Sequence, residues 1–327
     1  MEQKYLSLAP TNLKNKQAAR YDGTGFSASL QEFSAQDQQA LLTIYQHIKS
    51  VYDVWLYMKE SPNYSILQAD TDWFVSEDFL SIARELGSIA EYPSLHIKKI
   101  IHDIRGGALM SMVSHANKIK RFNLYHEVEH MRSFVFLARD QAKMMRNAVH
   151  NIDVITRAAD ERIRIHSIYD YVKKWNNFEY RHNDRTITVK VQCYYEGNVT
   201  TCCLEASALD RVVYNFVNNA LRFSKEDTII ITIFPVGNIL RWVIENTMKS
   251  ESVAWLQEST GNNLSRLFQG GITSDGNGIG LSNCADIVGA SFGISAAEAI
   301  DRRYISATVK DETFYACFHW NAVVEEE

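Results

Sequence analysis

The spacing of apolar positions divides the chain into a helical front and a mixed back. Residues 1–30 are polar and predict a loosely structured start. From Ser34, with Asp37 three positions on, Leu41, Ile44, Tyr45, Ile48, Val51, Tyr52 and Trp55 recur at helical steps and predict a helix to about Glu60. After a loop at Pro62, Ser76 opens a second helix through Phe79, Ile82, Ala83, Leu86 and Ile89. From Pro93 the stripe sharpens. Ile97, Ile100, Ile101, Ile104, Ala108 and Met112 share one helical face. "RFNLYH" interrupts the pattern. Val128, Met131, Val135, Ala138, Ala142, Met145, Val149 and Ile152 then continue it in near-heptad steps. The two runs predict a helical hairpin. One hairpin leaves its stripe uncovered, so pairing with a second copy into a four-helix bundle is expected.

After about Ile165 the period changes from helix to strand. "TITVKVQCYY", "VTTCCLEA", "TIIITIFPV", "ILRWVIEN", "YISATVK" and "TFYACFHW" read as strands. "SALDRVVYNFVNNALRFS" reads as a helix capped by Ser207, and a second helix follows a glycine-rich loop at 276–280. Strands and helices mix without regular βαβ alternation, which predicts an α+β layer. Three parts are expected: an N-terminal helical module over 1–92, the hairpin over 93–165, and an α/β domain over 166–327.

Composition narrows the function classes. The chain has 327 residues, long enough for two or three domains. A formal charge of -5 gives no footing for nucleic acid or an anionic membrane as main partner. No apolar run is long enough to predict a membrane span. Five cysteines without metal-ligand spacing, and an N-terminus unlike a signal peptide, fit reduced thiols and a cytoplasmic location.

Three stretches carry candidate chemistry. Asn215 and Asn219 are four apart, so both amides lie on one helical face, with Arg222 three residues further. Amide oxygens there suit Mg²⁺ completed by phosphate, and the same pattern also fits a solvated helix face. Asn246, at a strand end, could face a heterocycle or simply begin a turn. Gly276, Gly278 and Gly280 stand directly before a helix, where bare N–H groups and the helix dipole favour an anion. His102 lies about 120° from the centre of its helix stripe, on the solvent side, and Asp103 beside it is expected to be more exposed still. Gly106-Gly107, costly within a helix at about 1 kcal/mol each, predicts a kink or the close approach of another group.

The order of these stretches resembles the core of bacterial sensor histidine kinases over about residues 93–322. "HDIR" looks like the phosphoacceptor box, "NFVNNA" like the asparagine box, and "LFQGGITSDGNGIGLSNCADIVGA" like the phenylalanine box running into the second glycine box. Two departures stand out. "ENTMKSE" occupies the place of the first glycine box, making Asn246 the candidate for adenine contact and Glu245 the second choice. Gly106-Gly107 replaces the usual Thr-Pro after the histidine.

The resemblance implies a GHKL-type ATP-binding sandwich beside a dimeric phosphoacceptor hairpin. It implies ATP and Mg²⁺ as cofactors, Asn215 and Asn219 as metal-positioning groups, and Arg222, Asn246, Gly276, Gly278 and Gly280 around the nucleotide. His102 would be the phosphoacceptor, with Asp103 as general base. The partners implied are a second copy and a response-regulator receiver domain. A phosphotransferase with a degenerate nucleotide site, or a non-enzymatic ATP-gated scaffold, stays open as an alternative.

Overall fold

The computed structural model describes residues 19–57, 64–88, 94–182, 185–274 and 278–323. The chain divides into two compact units. One is Gly23–Glu161. The other joins Arg162–Glu327 to the N-terminal stretch ending at Asp22.

The Gly23–Glu161 unit is helical. In chain order it holds β1 (Ala28–Ser29), α1 (Ala35–Tyr57), α2 (Gln68–Trp73), α3 (Glu77–Glu85), α4 (Leu95–Gly106), α5 (Ala108–Phe122), α6 (Val128–Ala148), β2 (Val149–His150) and α7 (Val154–Asp160). Ser34 caps α1 by accepting from the Asp37 N–H at 3.1 Å, and Ser76 caps α3 by accepting from the Phe79 N–H at 3.2 Å. Both starts follow from the short oxygen side chains that replace a missing intrahelical acceptor. The Pro62 loop and Pro93 lie outside the described residues.

The first arm of the hairpin is two helices. Gly107 breaks it with ψ of -133°. A Cβ at Gly107 would stand 2.8 Å from the Asp103 carbonyl and 3.0 Å from Met144 Cε, so kink and close approach occur together. Gln141 of α6, fully buried, repairs the break. Its oxygen accepts from the Leu109 N–H at 3.0 Å and its amide donates to the Ile104 carbonyl at 2.8 Å. Buried backbone groups released by the kink thus keep partners.

Most of the stripe left for a second copy by the sequence is covered by this chain's own helices, Val128 at the start of α6 being an exception. Ile97, Ile100, Ile101, Ile104, Ala108 and Met112 are all buried, as are Met131, Val135, Ala138, Ala142 and Met145. Helix α1 packs along α6, α2 packs on α5, and Phe74 meets Phe134 edge-on at 5.8 Å. The expected boundary at residue 92 therefore falls inside one packed unit. Another staple is ionic: Arg146 holds Asp160 through Nε at 2.6 Å and Nη2 at 2.9 Å, both groups being buried.

The other unit contains β3 (Ile163–Ser167), α8 (Ile168–Trp175), β4 (Phe178–His182), β5 (Arg185–Cys193), β6 (Asn198–Cys202) and α9 (Cys203–Phe223). It continues with β7 (Thr228–Val236), β8 (Ile239–Thr247), α10 (Ser250–Thr260), a 3₁₀ turn at Leu264–Phe268, α11 (Gly280–Ser291), α12 (Ala296–Asp301), β9 (Ile305–Lys310) and β10 (Thr313–Asn321). Six strands form one mixed sheet in the order β4-β5-β7-β8-β10-β9. Among the described residues of this sheet, β5 and β7 form the parallel pair, with α9 in the crossover that such a pair requires. The hairpins β7–β8 and β9–β10 pair as read from the alternation. Asp311 and Glu312 turn the second hairpin at φ of 48° and 62°.

Helix α9 starts five residues earlier than a cap at Ser207 implies. Cys203–Ala206 are helical rather than strand, and Ser207 lies inside the helix with its hydroxyl donating to the Leu204 carbonyl at 2.8 Å. The true start has no side-chain cap at Cys202; instead Glu205 accepts from the Thr201 N–H at 2.7 Å. Apolar Cys-Cys-Leu continues the strand texture across this boundary and hides it from a reading of period alone.

Candidate functional site

Side chains two apart on a strand share a face. Trp242, Ile244 and Asn246 of β8 therefore point the same way, and β10 places Phe318 opposite Trp242 and Phe314 opposite Asn246. Trp242 stacks on Phe318 at 5.5 Å, and Phe318 meets Phe216 of α9 at 5.4 Å. This is the sheet face that α9 covers, and Asn246 lies on it.

Asn246 is 3% exposed, and its Nδ2 has no hydrogen-bond partner among the described residues. A buried amide donor without an acceptor costs about 1–3 kcal/mol. Native proteins rarely carry that cost without an occupant such as water or ligand. The amide fits the edge of a heterocycle, which offers both ring-nitrogen acceptors and amine donors. Asn246 closes no turn: β8 runs one residue further, to Thr247.

Helix α9 supplies the paired amides. Asn215 is buried, and its Nδ2 donates back along the helix to the Arg211 carbonyl at 2.9 Å. Its oxygen is the atom with the chemistry for a cation. Asn219, one turn on, is half-buried, and Arg222 is exposed in the last turn. No group of three or more His, Cys, Asp or Glu among the described residues is arranged for a metal. A Mg²⁺ at the asparagines would take its other ligands from phosphate and water, which is the chemistry this ion favours.

The glycine loop is anchored to the same helix. Phe268, ending the 3₁₀ turn, is buried against Phe216 at 6.4 Å. Beyond it the Gly271 N–H donates to the Gly278 carbonyl at 3.2 Å. Gly278 has φ of 62°, and a Cβ there would come within 3.0 Å of three Gly271 backbone atoms. This close backbone approach and left-handed conformation explain the glycine at 278. Gly280 begins α11, and Ile279 before it supplies no side-chain cap. First-turn N–H groups of α11 thus face an end suited to an anion. Gly276 lies outside the described residues.

His102 belongs to the other unit. Its side chain is 28% exposed, and Nδ1 faces Asp103 Oδ1 at 3.4 Å. Asp103 is not the more exposed of the two: it is 3% exposed. The reason is local. Ile100 and Gly107 lie about 60° and 40° from Asp103 around the helix. Met144 packs onto Gly107. The apolar arc is therefore wider on that flank than the Ile97/Ile101/Ile104 stripe suggests. A carboxylate facing Nδ1 favours the tautomer with the proton on Nδ1, in which Nε2 carries the free lone pair. Gly106 sits one turn after His102, where a Cβ would lie 3.9 Å from the ring.

Sequence reasoning missed Phe216 as the tie between asparagine helix and glycine loop. Its signal was its place among core positions of the same helix. It also missed Gly271, whose partner Gly278 is seven residues away and cannot be paired with it by period.

No family profile matches this sequence, and no curated protein does. Among solved structures, the chain is similar to the catalytic domain of histidine kinase ThkA at 18% identity, over 47% of this chain and 85% of that one, with TM-score 0.30. It is similar to full-length ShkA in complex with AMPPNP at 14% identity, over 60% of this chain and 40% of that one, with TM-score 0.36. A third likeness is to the Acinetobacter baumannii histidine kinase AdeS, at 11% identity over 67% and 97%, with TM-score 0.27.

Proposed function

We propose that this protein is an ATP-dependent histidine kinase that phosphorylates its own His102 and passes the group to an aspartate of a receiver domain. What supports the reading is that α9, which carries Asn215 and Asn219, also covers the sheet face bearing the orphaned Nδ2 of Asn246 and packs Phe216 on Phe268, just before the Gly271–Gly278 contact. Base, cation and phosphate each find a group of fitting chemistry there.

His102 acts as nucleophile. Its Nε2 lone pair forms the bond to the γ-phosphorus while the bond from that phosphorus to the bridging oxygen breaks, and ADP leaves with the electron pair. Asp103 orients the ring and accepts the Nδ1 proton as the imidazole becomes cationic. Asn215 and Asn219 position Mg²⁺, whose charge offsets that of the phosphates. Arg222 and the α11 N–H groups hold phosphate oxygens, and Asn246 reads the base. In the second step the phosphoryl group moves from Nε2 to a receiver carboxylate. Positioning and charge neutralisation supply most of such catalysis.

The replaced first glycine box favours one further reading, a phosphotransferase whose nucleotide site is inactive. Titration calorimetry separates the two. The kinase reading expects Mg²⁺-dependent binding of ATP, weakened by Asn219→Ala. No heat at millimolar nucleotide leaves only the phosphotransferase. A homodimer is part of this proposal. Leu95, Met110, Phe122 and Val128 remain exposed on the hairpin and are what a second copy could cover. Sedimentation of the full chain as a monomer at tens of micromolar would remove that part.

A further inference from the structure

We propose that Gln141 is a positioning residue for His102: by bridging the break between α4 and α5 it keeps Asp103 in the buried slot from which its carboxylate meets Nδ1 of the ring. The part that concerns phosphoryl transfer rests on the kinase reading above.

The break frees backbone groups on both sides of it. In an unbroken helix the Ile104 carbonyl would accept from the Ala108 N–H, and the Leu109 N–H would donate to the Arg105 carbonyl. Gly107, with ψ of -133°, turns α5 off that course. Gln141 of α6 meets a freed acceptor and a freed donor with a single side chain. Its Nε2 donates to the Ile104 carbonyl at 2.8 Å, and its Oε1 accepts from the Leu109 N–H at 3.0 Å. A carboxamide does both at once, whereas an ionised carboxylate has no donor and an apolar side chain has neither group. Gln141 is 0% exposed, Ile104 1% and Leu109 3%, so water has no access to replace these bonds.

The bridge begins one residue beyond the reactive pair. Asp103 directly precedes Ile104, and its own carbonyl accepts from the Gly107 N–H at 2.8 Å. Met144, three residues after Gln141 and so on the same side of α6, packs onto Gly107. Two neighbouring positions of α6 thus grip the end of α4 where Asp103 is buried.

That grip matters because side chains one apart on a helix do not face each other. Asp103 Oδ1 reaches His102 Nδ1 at 3.4 Å, near the outer limit of a hydrogen bond. The contact therefore depends on the Asp103 side chain being held in one rotamer, and its slot does so. Without the bridge, the Ile104 carbonyl and the Leu109 N–H regain partners only if the helix straightens or water enters. Either change shifts Gly107 from Met144 and opens the slot. Asp103 then turns into solvent, and the ring loses the acceptor that keeps its proton on Nδ1.

The test uses the full chain with Gln141→Leu and Gln141→Glu. Val135→Ala, at a buried position of the same helix, controls for lost stability alone. Imidazole nitrogen NMR spectra, with the His102 signals assigned through His102→Gln, give the tautomer. Calorimetry gives ATP·Mg²⁺ affinity, and label transfer from γ-labelled ATP gives the initial rate. The proposal expects the proton on Nδ1 in the wild type and in Val135→Ala, and a mixture of tautomers in Gln141→Leu. It expects a several-fold lower rate in Gln141→Leu at unchanged nucleotide affinity, with Gln141→Glu between. If Gln141→Leu does not fold, Gln141→Glu, which keeps an acceptor for the Leu109 N–H, carries the same comparison. A wild-type tautomer in the Gln141 variants overturns the proposal. So does a rate loss no larger than that of Val135→Ala. No label in the wild type overturns the kinase reading, and the tautomer alone then decides whether Gln141 positions His102.

Discussion

Replacing Gly278 by alanine perturbs the phosphate loop at a place where the geometry sets the size of the effect. The residue has φ of 62°, and a Cβ would meet the N, Cα and C atoms of Gly271 at 3.0 Å. The left-handed conformation alone costs alanine about 1–2 kcal/mol. Moving the two strands of the loop apart also loses the Gly271-to-Gly278 hydrogen bond, worth about 0.5–1.5 kcal/mol net. Together these give about 1.5–3.5 kcal/mol against the closed loop. If closure is what binds phosphate, nucleotide affinity falls roughly ten- to several-hundred-fold. Gly271→Ala is the internal control. Its φ is 83°, but nothing lies within 4 Å of the added Cβ, so strain acts there without a clash. Calorimetric titration of ATP·Mg²⁺ into both variants measures the difference. Gly278→Ala is expected to bind more weakly than Gly271→Ala, with both melting near the wild type. Equal affinities, or wild-type affinity in Gly278→Ala, would refute the loop-closure reasoning.

Three further outcomes follow from buried polar groups. Asn246→Leu removes an orphaned amide and should raise stability by about 1 kcal/mol in urea melts while abolishing nucleotide binding; retained binding would exclude Asn246 from the base site. His319 is buried, accepts from Arg241 Nε at 2.9 Å and donates to the Tyr304 carbonyl at 3.0 Å, and burial beside that guanidinium pushes its pKa down to about 3. The unfolded chain then binds the extra proton, so stability is full above about pH 6.5 and falls toward pH 3 by up to about 1.4 kcal/mol per unit. His319→Gln should flatten that part of the urea-midpoint profile, and an unchanged slope would contradict the assignment. Asp160→Asn leaves Arg146 buried without its countercharge and should cost about 3–5 kcal/mol by denaturant melt; a loss under 1 kcal/mol would mean that solvent already reaches the pair.

Much of the fold was legible wherever period and punctuation agree. The Val- and Ile-rich runs at 228–236 and 239–247 and the strands at 305–310 and 313–321 alternate clearly and pair as expected. Ser34 and Ser76 mark helix starts through their own side chains. Legibility stopped where tertiary packing decides. Asp103 is buried by a flank of Ile100 and Gly107 that only the neighbouring helix makes apolar. The start of α9 is set by Glu205 reaching back to Thr201, a contact no apolar pattern signals. The intrachain cover of the hairpin stripe depends on α1 packing against a helix about 90 residues away, which spacing within either helix cannot reveal. At the candidate site, residue types and order were readable, whereas the unpaired state of Asn246 and the Gly271–Gly278 approach appear only with the fold.

The most direct measurement is incubation of the full chain with γ-labelled ATP and Mg²⁺, followed by acid and alkali treatment of the labelled protein. The account predicts label that is lost in acid and kept in alkali, as expected of a phosphorus–nitrogen bond, and its absence in His102→Ala while that variant still binds ATP·Mg²⁺. Acid-stable label, or acid-labile label that persists in His102→Ala, would contradict it.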